Sequence, residues 1–195
     1  MPCCLVGSEM CIRDRLTISQ METGEIKMKM EAFDIVSLID ETVEQIEPIA
    51  LSKKINVSVV KKDWKSVIVL ADYYRIFQVL KNLLSNAIKY SVDNSTIEIQ
   101  IEKRKKVVNL SVLDSGIGIP KNDRKRIFER FYRIDKSRSK KKGGTGLGLA
   151  IVKHIIEGHK TKIKLKSKIN DGSRFSFNLK LAPNKKRKKK SLRKI

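Results

Sequence analysis

The sequence predicts an α/β fold, a two-layer sandwich in which a mixed, mostly antiparallel sheet packs on three helices. Short segments with apolar residues at every second position recur along the chain, which is the pattern of half-buried strands. Between them, three longer segments repeat apolar residues every three or four positions, the pattern of helices with one buried face. The 195 residues are 41% hydrophobic and 33% charged, a balance that suits one globular domain with a proper core.

Residues 16–21 read as the last turn of an amphipathic helix, closed by Thr23-Gly24. In residues 25–33, Ile26, Met28 and Met30 fall on one face and Lys27, Lys29 and Glu31 on the other, predicting a strand. Asp34 is placed to cap a helix carrying Ile35, Leu38, Ile39, Val43, Ile46 and Ile49, with a kink or end expected near Pro48. Strands are expected over 55–60 and 67–70. Asp72 then caps a second helix running to about Tyr90. Residues 97–101 alternate strictly, residues 103–106 make a turn, and 107–113 return as an antiparallel neighbour. A third helix is expected over 147–157, ending at Gly158. Residues 161–167 and 174–181 alternate again and are joined by Asn170-Asp171-Gly172, a hairpin turn.

The net charge of +22 follows from 43 Lys and Arg against 21 Asp and Glu. From Gly172 onward there is no acidic residue, and residues 184–195 hold eight basic ones. Such an end is read as a disordered basic tail over 183–195; binding of nucleic acid or an anionic membrane is the functional alternative. No apolar run approaches the roughly 18 residues that would span a bilayer, so the chain is expected to be soluble. All three cysteines (Cys3, Cys4, Cys11) lie in the first eleven residues, in no zinc-binding spacing. Residues 1–15 resemble a translated sequencing adaptor, with a divergent native start as the alternative; native sequence is then expected from about Leu16.

Three segments carry chemistry. On the second helix Gln78, Asn82, Asn86 and Lys89 line up opposite the apolar side formed by Ile76, Leu80, Leu83, Leu84 and Ala87. This stripe is either an ordinary solvated face or a set of ligands, because amide oxygens suit Mg²⁺ and an ammonium suits phosphate. Next, Asp114-Ser115-Gly116-Ile117-Gly118-Ile119-Pro120 follows an apolar strand. A carboxylate there can accept from an exocyclic amine such as that of adenine, and Gly116 and Gly118 remove side chains where a base would lie. A tight turn is the simpler reading, but a turn has no need of the Asp. Last, Gly143-Gly144-Thr145-Gly146-Leu147-Gly148 opens the third helix, where bare N–H groups can meet an anion. It is neither a Walker loop nor a Rossmann fingerprint. Before it, residues 121–142 hold eleven Lys or Arg against three acids, which suits a lid over phosphates.

The segments NLLSNAIKYS (82–91), DSGIGIP (114–120), IFERFYRIDKSRS (127–139) and GGTGLGLAIVKHI (143–155) resemble, in order and spacing, the N, G1, F and G2 boxes of bacterial sensor histidine kinases. Those boxes mark the catalytic ATP-binding domain within the GHKL, or Bergerat-fold, superfamily, and the resemblance runs from about residue 16 to 181. It implies ATP and Mg²⁺ as cofactors. Asn86 would hold Mg²⁺ with Asn82 assisting, Lys89 would reach a phosphate, and Tyr90 would flank the base or ribose. Asp114 would read the adenine amine, with Gly116 and Gly118 below the ring. Phe128 and Phe131 would anchor the lid, and Arg133 would touch the γ-phosphate. Gly144, Thr145, Gly146, Leu147 and Gly148 would bring backbone amides to the phosphates.

Superfamily members that hydrolyse ATP carry a Glu one turn before the metal-binding Asn. Asn82 stands there instead and cannot act as a base, so the resemblance implies transfer of the γ-phosphoryl group, with Asn82 and Arg133 as the catalytic residues. The acceptor His of the family sits in an upstream helical hairpin. This chain has only His154 and His159, both expected to be structural or exposed. The domain plan is therefore a leader at 1–15, the end of a dimerisation hairpin and linker at 16–24, the catalytic domain at 25–182 and the tail. The implied partners are the histidine-bearing hairpin and a response regulator, with no specific nucleic acid. The piece itself is expected to be a monomeric cytoplasmic domain, and the full-length protein a homodimer anchored in the inner membrane. Two further readings are a stand-alone anti-sigma-type Ser/Thr kinase of the same superfamily and a basic nucleic-acid-binding module.

Overall fold

The structure, a computed structural model, describes residues 28–61, 65–134 and 145–183. The expected helix end at 16–21, the leader, Gly143 and Gly144, and residues 184–195 lie outside them. Three helices, α1 (Ile35–Ser52), α2 (Tyr73–Tyr90) and α3 (Gly148–Gly158), pack with seven strands: β1 (Glu31–Asp34), β2 (Asn56–Lys61), β3 (Ile68–Ala71), β4 (Thr96–Lys103), β5 (Val107–Asp114), β6 (Lys164–Lys168) and β7 (Gly172–Leu181). The sheet order is β1-β3-β7-β5-β4-β2. The ten-residue β7 runs beside β5 along its length. Its other side is shared between β6, at residues 172–176, and β3, at residues 180–181. Among the described residues only β2 and β4 pair in parallel, so the sheet is mixed and mostly antiparallel.

One face of the sheet makes the core. Ile97, Ile99 and Ile101 of β4, Val108, Leu110 and Val112 of β5, and Phe175, Phe177 and Leu179 of β7 are buried under the helices. α2 contributes Ile76, Leu80, Leu83, Leu84 and Ala87, the side that its periodicity predicts. On the other face the intervening residues are polar and bond one another. Asn109 donates to Asn178 at 2.9 Å, Ser111 to Asn109 at 3.2 Å, and Arg174 to Ser111 at 3.1 Å. An uncovered sheet face needs such residues, and their presence makes the fold two-layered.

Both expected caps form. Asp34 Oδ1 accepts from the N–H of Val36 at 3.0 Å and also from that of Val67 at 2.9 Å, tying the start of α1 to the chain entering β3. Asp72 Oδ1 accepts from Arg75 at 3.1 Å. α1 carries Pro48 in its last turns and ends four residues later, at Ser52. Pro48 and Glu44 both lie on the exposed side, where the carbonyl deprived of an amide partner is open to water. Of the strand expected over 25–33, residues 25–27 lie outside the described ones; among the rest only Glu31 onward pairs, in the register Glu31↔Ala71 to Asp34↔Ile68 that β3 offers. Upstream, the N–H of Lys29 is taken by Asp72 Oδ2 at 2.9 Å, which turns residues 28–30 away from the sheet.

Candidate nucleotide-binding site

The polar stripe of α2 is half-buried rather than a solvated face: Gln78, Asn82, Asn86 and Lys89 are each partly covered. Asn82 faces the start of α3, where a Cβ built on Gly148 would lie 3.4 Å from its Oδ1. Nδ2 of Asn82 is buried and has no hydrogen-bond partner. A buried amide left unpaired costs about 1–3 kcal/mol, so the group is available to a partner that the described residues do not supply. A primary amide fits both candidates: it can donate to a phosphate oxygen or, rotated, present its oxygen to a cation.

Among the described residues no side chain caps the N-terminus of α3; Leu147 occupies the cap position and puts its own side chain in the core. Its free first-turn amides and the positive end of the helix dipole suit an anion. Thr145 contributes only a weak local bond, from the N–H of Leu147 to its Oγ1 at 3.4 Å. Gly146 has φ +74° and lies so close to residue 131 that a Cβ would sit 2.9 Å from the Phe131 carbonyl carbon. The N–H of Phe131 donates to the Gly146 carbonyl at 3.1 Å. Phe131 is 67% exposed, so it holds the Gly146 turn through backbone. Phe128 is anchored through its ring, edge-on to Phe175 with centroids 6.4 Å apart. Arg133 lies half-buried just beyond.

At the other end of α2, Lys89 Nζ stands 5.3 Å from the centroid of the partly exposed Tyr90 ring. The chain then runs against the segment after β5. Ser91 and Gly116 form an antiparallel bridge, and the N–H of Ile117 donates to the Tyr90 carbonyl at 3.4 Å. Asp114 ends β5 half-buried, with Oδ1 accepting from the Gly116 N–H at 2.9 Å and the Ser173 amide bonding the carboxylate as well. Burial pushes its carboxyl above the ordinary value, and the two amides only partly offset this.

The two glycines here are required by the chain itself. A Cβ on Gly116 would fall 2.6 Å from the Tyr90 carbonyl oxygen, and one on Gly118, at φ +70°, 2.0 Å from the Lys168 carbonyl oxygen. The space beside each is thus filled by backbone. What they do for the site is to hold Asp114 against α2 and the β6–β7 hairpin. Ser91 and Ser173 also belong to this end and carry no motif signal in the sequence. A lone serine after a helix is too common to single out.

Three close approaches, Asn82 to Gly148, Tyr90 to Gly116 and Phe131 to Gly146, thus bring all four sequence segments to one edge of the fold. The histidines stand apart. His159 is 7% exposed, with Nε2 accepting from the Asp72 N–H at 2.9 Å and Nδ1 bonded to the Ile155 carbonyl at 2.7 Å. His154, on α3, is half-buried, and burial holds its pKa below the ordinary 6.5. Among the described residues no cluster of His, Cys, Asp or Glu could hold a metal, and no helix is long and apolar enough to cross a membrane.

Similarity to known proteins spans most of the chain. The family model described as histidine kinase-, DNA gyrase B-, and HSP90-like ATPase matches residues 71–183. The sensor-like histidine kinase SenX3 of Mycolicibacterium smegmatis is 36% identical over 168 residues, covering 86% of this chain and 43% of that protein. The chain spans less than half the length of these curated relatives. The catalytic domain of histidine kinase ThkA superposes with a TM-score of 0.69 at 33% identity, covering 79% of this chain and 97% of that one. ThkA has also been solved in complex with the response regulator TrrA. Full-length ShkA in complex with AMPPNP superposes with a TM-score of 0.77 at 27% identity, covering 88% of this chain and 35% of that one.

Proposed function

The chain belongs to the histidine kinase-, DNA gyrase B-, and HSP90-like ATPase family, and on that premise we propose that it is the phosphoryl-donating half of a sensor histidine kinase. Residues 25–182 are its catalytic domain, binding ATP along the edge where α2, α3 and the end of β5 meet. The carrying observation is the pairing of Asn82 with the open N-terminus of α3. Phosphate is held there by helix amides and side-chain amides, beside a group that cannot take a proton from water.

In this reading Asp114 accepts from the adenine amine and fixes the base. Tyr90 covers the base or ribose, Lys89 meets a phosphate, and Gly144, Thr145, Gly146, Leu147 and Gly148 bring backbone amides to the chain of phosphates. Asn86, with Asn82 assisting, is the residue to hold Mg²⁺. When bound, the metal neutralises charge on the transferring phosphoryl group. Arg133, at the lid root, reaches the γ-phosphate. With no water-activating carboxylate at Asn82, catalysis rests on positioning and charge neutralisation, and the phosphoryl group goes to a nucleophile brought to the site. That nucleophile is a histidine on a helical hairpin of the full-length protein, and a response regulator receives the phosphoryl group next. ShkA with AMPPNP and ThkA with TrrA support the nucleotide and the regulator respectively. In the full-length protein the domain faces the cytoplasm, the hairpin makes a homodimer, and the inner membrane carries the anchor.

The test supplies the chain with ATP labelled at the γ-position and the isolated hairpin of a related kinase. Label should appear on the hairpin and be lost in acid but not in alkali, as a phosphorylated imidazole requires. Acid-stable label, or phosphate release with no label on the hairpin, would count against the proposal.

A further inference from the structure

Ser91 caps the C-terminus of α2, and its residue is only 7% exposed. Its hydroxyl has no hydrogen-bond partner; besides Asn82 Nδ2 it is the sole buried side-chain polar atom in that condition among the described residues. A hydroxyl can rotate to any acceptor within reach, so a buried one left unpaired marks a place where the fold offers none. Asn82 stands at the phosphate end of the site. Ser91 stands at the other end, beside Asp114.

The bridge between Ser91 and Gly116 fixes the direction in which the hydroxyl lies. Residues paired across an antiparallel bridge project to the same face. On that face a Cβ at Gly116 would lie 2.8 Å from Asp114 Oδ1. The Ser91 hydroxyl and the Asp114 carboxylate therefore share one side of the bridge. They are complementary in chemistry, since an ionised carboxylate can only accept, whereas a hydroxyl can donate.

The Watson–Crick edge of adenine asks for such a pair, presenting a donor at the exocyclic N6 and an acceptor at N1. We propose that Ser91 is a specificity-determining residue whose hydroxyl donates to adenine N1, directly or through one ordered water, beside the amine accepted by Asp114. This rests on the ATP-binding reading above. It accounts for the unpaired hydroxyl, which finds its acceptor when nucleotide is bound. It also divides the work of discrimination. Guanine reverses both groups; the rotatable hydroxyl of Ser91 could adapt to the reversal, but the Asp114 carboxylate could not.

The test titrates ATP and 1-deaza-ATP, which keeps the amine but replaces N1 by C–H, into the wild-type chain, Ser91→Ala and Ser91→Thr. Wild type should bind 1-deaza-ATP about tenfold more weakly than ATP. Ser91→Ala should lose about tenfold for ATP and no longer distinguish the two nucleotides. Ser91→Thr, which keeps the hydroxyl, should restore the distinction. In the ligand-free state Ser91→Ala should melt at the same temperature as wild type or higher, because an unpaired buried hydroxyl has been removed. The assignment is overturned if wild type binds both nucleotides equally, if Ser91→Ala still distinguishes them, or if ligand-free Ser91→Ala melts well below wild type. A wild-type chain that binds neither nucleotide overturns the ATP-binding reading itself.

Discussion

Asn82 Oδ1 lies 3.4 Å from the point where a Cβ on Gly148 would stand, so the polar stripe of α2 and the first turn of α3 meet across a gap one methyl group wide. That distance is an ordinary contact, and Gly148→Ala should fold. Alanine in a helix is favoured over glycine by about 1 kcal/mol, so the melting temperature should hold or rise. The added methyl crowds the space where phosphate meets Asn82, and ATP affinity should fall about tenfold or more. Gly146→Ala should do the reverse damage. At φ +74° and 2.9 Å from the Phe131 backbone it should cost the fold upward of 1 kcal/mol. Thermal melts and nucleotide titrations of the two variants separate these effects.

Asp114 should give nucleotide binding a pH dependence on the acid side. Burial raises its carboxyl above 3.8, so the native state holds this proton more tightly than the unfolded chain does. Between 3.8 and the raised value, stability therefore falls as pH rises. Nucleotide affinity runs the other way, because only the ionised carboxylate accepts from the amine without a competing proton. Affinity should drop as pH falls through the raised pKa, and binding in that window should release a proton. Calorimetry in buffers of different ionisation enthalpy reads the proton directly. Asp114→Asn should bind weakly at every pH and release none.

Asp34 should show the opposite linkage. Burial alone would raise its pKa, but the N–H groups of Val67 and Val36, with Ser66 and Ser37, outweigh burial and bring it below 3.8. Its contribution to stability is full above 3.8 and is lost as pH falls through the lowered value. Asp34→Ala should cost about 1–2 kcal/mol near neutral pH, as read by urea unfolding, and this difference from wild type should shrink in strong acid.

His159 ties the C-terminal end of α3 to the N-terminal end of α2 through the Asp72 amide at 2.9 Å. His159→Phe leaves that buried N–H without an acceptor and should cost about 1–3 kcal/mol. Nothing in this contact faces the candidate site, so transfer to a supplied hairpin should survive under conditions where the variant remains folded.

Elements governed by local spacing were legible in the sequence. The apolar side of α2, its cap Asp72 and the hairpin at Asn170-Asp171-Gly172 depend on neighbours a few residues away, and each formed where the periodicity and turn residues place it. The extent of β1 was not, because it is set by the four residues that β3 offers and by the pull of Asp72 on Lys29, 43 positions distant. Pro48 marks the last turns of α1, but whether it is tolerated depends on which side of the helix is exposed. At the site, residue types announced chemistry while burial decided their environment. Gly116 and Gly118 read as room for a base, yet the nearby Tyr90 and Lys168 carbonyls fill the room. The pairing of Ser91 with Gly116 spans 25 positions, which no local pattern encodes.

The measurement closest to the central claim is calorimetric titration of Mg²⁺-ATP into the wild-type chain, Asn86→Ala and Asp114→Asn, with melting curves to establish that each is folded. One nucleotide should bind per wild-type chain, and each folded variant should bind at least about tenfold more weakly, as loss of a buried polar or charge-assisted contact requires. A folded wild-type chain without affinity for ATP, or variants that bind as wild type does, would contradict the account.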